Sequence, residues 1–291
     1  MTLKPPFDVR TIQLKWLLFP LILISLFSCD PKDNRHKEDE VFRYNEHYNV
    51  ATLDPAFARN PPIIWPTNQL FNGLVQQDDS LNIIPDVAKR WTVSEDTKTY
   101  TFILRDDVYF HKHEQFKTKD STRKVSAEDF VYSFNRLKDP SIASPGSWVL
   151  SNVDRYQAVN DSTFQITLKK EFPAFLGLLT MRYCSVVPEE IVSFYGNEFR
   201  SHPIGTGPFK FKRWEEGVKL VLRKNNLYFE KDEDGNRLPY LEAVAITFLP
   251  DKQSEFLQFA QGNLDMLNSL DPSYKDELLT ATGKLKENYK N

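Results

Sequence analysis

Between Thr99 and Arg105 apolar and polar positions alternate, with Tyr100, Phe102 and Leu104 on one face and Thr99, Thr101 and Arg105 on the other. This period of two predicts a half-buried strand. Thr163 to Leu168 repeats it through Phe164, Ile166 and Leu168, and Val244, Ile246 and Phe248 line a further strand. Between these lie stretches of helical period. After Ser126-Ala127-Glu128-Asp129, the residues Phe130, Val131, Phe134 and Leu137 form one stripe, Ser126 is placed to cap, and the acids sit near the positive end of the helix dipole. Asp139-Pro140 stops that helix.

The remaining chain keeps the alternation. Val41 to His47 reads as a first strand, followed by a turn-rich segment to Pro55 and a helix carrying Ile64, Leu70, Phe71 and Leu74. Pro173 opens a short helix through Leu179, and Pro188 opens another. Phe209 to Trp214 and Val218 to Arg223 flank Glu215-Glu216-Gly217 as a hairpin. A helix from Lys252 to Gln261, capped by Asp251 and stopped by Gly262, precedes a last apolar segment from Leu264 to Leu267. No fixed-period repeat is present, so the pattern predicts mixed α/β lobes.

The N-terminus departs from this pattern. Lys4, Arg10 and Lys15 precede an apolar run from Trp16 to Phe27 that is short for a bilayer span, as in an export signal. Its end, Leu26-Phe27-Ser28-Cys29, resembles the lipobox of bacterial lipoproteins, which implies that Cys29 receives lipid, although Phe27 is bulkier than that pattern usually has. The other reading is a plain cleaved signal with Cys29 incidental. A charged stretch to Glu40 then suits a tether.

Composition narrows the function. Hydrophobic residues at 41%, charged residues at 26% and a mean hydropathy of -0.48 exclude a multi-span membrane protein. Loss of the segment before Cys29 removes Lys4, Arg10, Lys15 and Asp8, a net +2, and takes the charge from -3 to -5. No basic footprint for nucleic acid remains. The only other cysteine, Cys184, lies in an apolar stretch expected to be a buried strand, where it acts as a small core hydrophobe.

Matches to reactive motifs lack their partners. His113-Glu114 begins a zincin-like string, but Lys117 stands where the second histidine belongs. His111 and His113 could share a strand face, yet no third metal ligand is indicated. Ser121-Thr122-Arg123-Lys124 fits a serine-x-x-lysine pattern in what reads as a solvated turn. Gly205-Thr206-Gly207-Pro208 precedes a strand, and Pro208 removes an N–H that a phosphate would need. Asp232, Asp234 and Asn236 imitate a calcium loop whose later ligands are missing. Three aromatics near turns, Tyr48, Trp148 and Tyr183, fall outside core periodicity and could line a cleft.

An ordered set of segments resembles one family. Thr52-Leu53-Asp54-Pro55, Gln69-Leu70-Phe71-Asn72-Gly73-Leu74-Val75 and Ile84-Pro85-Asp86-Val87-Ala88-Lys89-Arg90-Trp91 are similar to the opening of the extracellular solute-binding proteins of peptide and nickel ABC transporters, the oligopeptide-binding type. Tyr100 to His111, Ser126 to Phe134 and Pro203 to Phe209 continue the resemblance, which spans Arg43 to Met266. Where relatives turn tightly after the histidine, this chain has the longer charged loop Lys112 to Lys124. Relatives are also much longer, so the second ligand-closing lobe is expected to be missing.

The resemblance implies an α/β chain with the type II periplasmic-binding-protein fold, incomplete, whose work is gripping a solute by hinge closure. Residues 1–28 are expected to be a lipoprotein signal peptide, 29–40 a tether, 41–54 with 191–270 a discontinuous lobe I, 55–190 an additional domain, and 271–291 the start of a truncated remainder. The expected function is a substrate-binding lipoprotein, exported and membrane-anchored, facing the periplasm or cell exterior. It would be a monomer that captures oligopeptides or a similar extended solute and passes them to permease subunits. Tyr48, Asn49 and Trp148 are the expected ligand contacts; no catalytic residue, metal or cofactor is expected. Two rival readings are a surface metal-dependent hydrolase using His111, His113 and Glu114, and a peptide sensor or chaperone without a transport role.

Overall fold

The computed structural model describes residues 40–289. The proposed signal, Cys29 and most of the tether lie outside the described residues.

Two four-stranded sheets organise the chain. In the first, β1 (Val41–Asn45) pairs in parallel with β10 (Ala243–Thr247), which runs antiparallel to β9 (Lys219–Lys224), itself paired with β8 (Phe209–Glu215). The register sets Tyr44 beside Ile246 and Ile246 beside Leu220, so residues just over two hundred positions apart share one buried row. Met266 adds a single parallel bridge to Tyr44. The expected segment from Leu264 to Leu267 therefore contributes one ladder position.

The second sheet is antiparallel, in the order β4 (Ala88–Val93), β5 (Thr99–Leu104), β7 (Thr163–Leu168), β6 (Val153–Asn160). Its two inner strands are the ones whose alternation was clean. Tyr100, Phe102, Leu104, Phe164, Ile166 and Leu168 all point into the core. The outer strands β4 and β6 were not legible in the sequence. Each carries register shifts, between Ala88 and Arg90 and twice in β6, and a bulge destroys the period of two that would mark a strand. A small hairpin of β2 (Val75–Gln77) and β3 (Ile83–Pro85) precedes this sheet.

Helices cover the sheets. The first, α1 (Pro61–Leu70), ends at Leu70, short of the expected Leu74, because Phe71 turns extended; Phe71 and Leu74 are buried nonetheless. Its Pro61 and Pro62 occupy the first turn, where the missing N–H groups cost nothing. Helix α2 (Ala127–Lys138) lays Phe130 and Phe134 on Phe164, with ring centroids 5.6 and 5.4 Å apart. Asp129 closes its N-terminus by accepting from both Ser126 N–H at 2.8 Å and Ser126 Oγ at 3.0 Å. Two short helices follow, α3 (Phe175–Leu179) and α4 (Glu189–Tyr195), and α5 (Lys252–Ala260) is capped by Asp251 as expected.

Two expectations are corrected. Cys184 ends a 3-10 turn (Arg182–Cys184), not a strand, because its neighbours bond back within the turn; it is buried, and burial pushes its thiol up to about 12. The segment at Ser121 to Lys124 is no solvated turn. Thr122 is buried with its hydroxyl on the Phe110 carbonyl at 2.6 Å. Arg123 grips Asp129 and Glu190, each through two nitrogens at 2.6–2.8 Å, while its guanidinium lies 5.0 Å from the Phe110 ring centroid. That clamp fixes the long charged loop.

Candidate functional site

A cleft of about 840 Å³ opens between α1, the loop around Trp148, the turn at Thr180–Tyr183 and Tyr228. The helix builds one wall by its period. Ile63, Pro66, Thr67 and Leu70 are buried, which turns Ile64, Asn68 and Gln69 toward the cleft. Asn72, Gln76 and Gln77 extend the row, so five side-chain amides within ten residues line one side. Trp148, half exposed at 50%, and Tyr183 face the same space. Tyr183 can pack over the backbone of residue 146 because that residue is glycine: a Cβ there would lie 2.2 Å from the Tyr183 ring.

Behind the amides a buried polar network holds the wall in place. Asn72 donates to Asp86 Oδ1 at 2.8 Å and accepts the Thr206 hydroxyl at 2.9 Å, while Gly73 N–H donates to Asp86 Oδ2 at 2.9 Å. Burial pushes the Asp86 carboxyl up to about 7, against the pull of Arg182 and these two donors. Gln76 donates to Glu230 at 2.7 Å. Tyr228 is raised above the usual phenol range, first by burial and then by Glu230 and Asp86. Arg182 turns its own guanidinium onto the carbonyls of Phe71 and Thr180 at 3.0 and 3.4 Å.

A second cavity, about 670 Å³, adjoins this cleft and shares Arg59 with it. Its lining is apolar at Phe57, Ile63 and Ile142, and at its base Arg136 and Asp54 form a two-pronged, largely buried ion pair.

Of the expected contacts, the structure brings Trp148 to the cleft and leaves the other two outside its lining. Tyr48 is 73% exposed, and Asn49 spends its amide oxygen on the Gly217 N–H at 3.1 Å. The amide row, Arg59 and Tyr228 escaped sequence reasoning; the clustering of Asn68, Gln69, Asn72, Gln76 and Gln77 was the signal that could have found them.

The histidines do not converge on a metal. His111 is buried, with Nδ1 accepting from Gly205 N–H at 3.3 Å and Nε2 against the Gly207 carbonyl at 3.1 Å, so neither nitrogen has a lone pair to offer. His113 is engaged by the Tyr195 hydroxyl at 3.0 Å and by Gln115 N–H at 3.2 Å. Among the described residues no group of three or more His, Cys, Asp or Glu could hold a metal ion.

These elements lie on the fold of the type II periplasmic binding proteins. The chain belongs to the bacterial extracellular solute-binding proteins, family 5, whose model matches residues 82–291. It is 32% identical over 266 residues to the periplasmic murein peptide-binding protein MppA of Escherichia coli, covering 84% of this chain and 44% of that protein. It is 25% identical to the probable deoxycholate-binding periplasmic protein YgiS of Escherichia coli, covering 88% and 49%. Among solved structures, the periplasmic binding protein DppA of Helicobacter pylori in complex with the peptide STSA superposes with a TM-score of 0.73 at 26% identity, over 84% of this chain and 50% of that one. The chain thus spans about half the length of the relatives it matches. These relatives are binding proteins, and those with a stated location are periplasmic.

Proposed function

We propose that this chain serves an ABC importer as a substrate-binding lipoprotein that captures oligopeptides or a similarly extended solute outside the cytoplasmic membrane. The observation that carries this reading is the row of amides facing Trp148 and Tyr183 across an open cleft. A side-chain amide both donates and accepts, so Asn68, Gln69 and Gln77, whose amides make no hydrogen bond among the described residues, can satisfy the backbone of an extended peptide whatever its sequence, while Asn72 and Gln76 brace the wall beside them. Aromatic faces add buried area without demanding one side chain. The peptide named with one superposed relative and the murein peptide named with another support the same solute class.

In this reading Cys29 carries the lipid, the tether of residues 29–40 holds the protein at the membrane, and the protein works as a monomer with permease subunits. Residues 41–54 and 191–270 act as lobe I, and residues 55–190 as the additional domain. The reading of His111, His113 and Glu114 as a hydrolase centre finds no support in their geometry. Native mass spectrometry of the purified chain with a tetrapeptide library tests the proposal: retained peptide adducts, lost when Gln69 and Gln77 are replaced by leucine, are expected. No adduct at millimolar peptide would reject it.

A further inference from the structure

The charged side chains that line the two cavities are engaged one by one, with a single exception. Arg136 is paired with Asp54 and Arg200 with Glu216, at 2.9 Å in the second case. Arg182 is held by two carbonyls. Two carboxylates that bond to the cleft wall are also engaged: Asp86 by Asn72 and Gly73, and Glu230 by Gln76. Arg59 stands apart. It is exposed, it lines both cavities, and among the described residues its guanidinium has no hydrogen bond or ion pair. No carboxylate lines the larger cleft.

An unpaired guanidinium is harmless in an open, wet cleft. Enclosed by a bound solute it would lose water and gain nothing, unless the solute itself brought an anion. The planar fork of arginine matches a carboxylate in two parallel hydrogen bonds, and that match discriminates by charge and by shape.

We propose that the cleft selects solutes bearing a carboxylate, and that Arg59, the one unpartnered charge at the junction of the two cavities, is the residue that selects it. This rests on the reading of the cleft as the solute site. The carboxylate can come from the C-terminus of a peptide or from an acidic side chain, and the same chemistry serves both.

Four probes separate the cases when titrated into the full chain in the millimolar range and followed by amide chemical shifts: tetra-alanine, its C-terminal amide, the amide of Ala-Glu-Ala-Ala and the amide of Ala-Lys-Ala-Ala. The free acid, the glutamate peptide or both are expected to bind roughly ten- to a hundredfold more tightly than the neutral and lysine amides. Preference for tetra-alanine alone assigns the C-terminal carboxylate, and preference for the glutamate peptide alone assigns the side chain. Arg59→Ala is expected to level the series and Arg59→Glu to invert it in favour of lysine. If all four bind the native chain alike, or if Arg59→Glu keeps the acidic preference, the selection by Arg59 is wrong while the solute site stands. If none of the four binds, the solute site and the selection fall together.

Discussion

The imidazole of His111 donates its Nε2–H to the carbonyl of Gly207 across 3.1 Å, because its other nitrogen is already the acceptor of the Gly205 N–H. One neutral tautomer is thereby fixed, and burial holds the ring's pKa down at about 4, below the ordinary 6.5. Between those values the unfolded chain binds the proton that the folded chain refuses. Stability from this group is therefore complete above pH 6.5 and is lost as pH falls toward 4, by about 3 kcal/mol. Urea denaturation across that window in an Asp86→Asn background, which removes an opposing titration, should show the decline. A level profile would count against it.

Asp86 runs the other way. Its carboxyl is raised from 3.8 to about 7, so the folded chain binds the proton more readily than the unfolded one. Its contribution is complete below pH 3.8 and fades as pH rises to 7, by about 4 kcal/mol. In a His111→Gln variant, denaturation midpoints should fall between pH 4 and pH 7, and midpoints that rise would refute the assignment.

Gly205 is a matter of space. A Cβ there would stand 2.1 Å from the Leu70 carbonyl oxygen and 2.5 Å from the Phe71 ring, neither of which can retreat without moving α1. Gly205→Ala is expected to destabilise the chain by about 3 kcal/mol. Gly177, in α3, meets nothing within 4 Å, and Gly177→Ala should instead stabilise by a few tenths to about 1 kcal/mol. Chemical denaturation of the pair distinguishes a steric cause from a general intolerance of alanine.

Trp148 and Tyr48 are both exposed aromatics on turns, yet only the first lines the cleft. Trp148→Ala is expected to weaken peptide binding roughly tenfold, the scale of one aromatic anchor. Tyr48→Ala should leave it within about twofold of the native chain. Equal losses in the two variants, measured by the same chemical-shift titration, would place the solute elsewhere.

Much of the fold was legible because burial leaves a periodic trace. The alternation at Tyr100, Phe102 and Leu104 and the stripe at Phe130, Phe134 and Leu137 identified the inner strands and the helix that covers them. The outer strands were hidden, since bulges in β4 and β6 break the period of two. The site was less legible still. Trp148 could be named as a loop aromatic, but Asn49 looked equally available until its amide was found on Gly217.

The sequence by itself determined the inner strands and the helix that covers them, the family they resemble, and the lack of a complete reactive motif. These follow from neighbours in the chain, whose spacing sets which side chains share a face. Only the tertiary structure decided that Arg59, Trp148, Tyr183 and Tyr228 line one cleft, that His111 is spent on two glycines, and that Arg59, unlike the other charged side chains lining the two cavities, has neither a hydrogen bond nor an ion pair among the described residues. Pairing of charges and closing of walls depend on distances between segments far apart in the chain, and no local period records them.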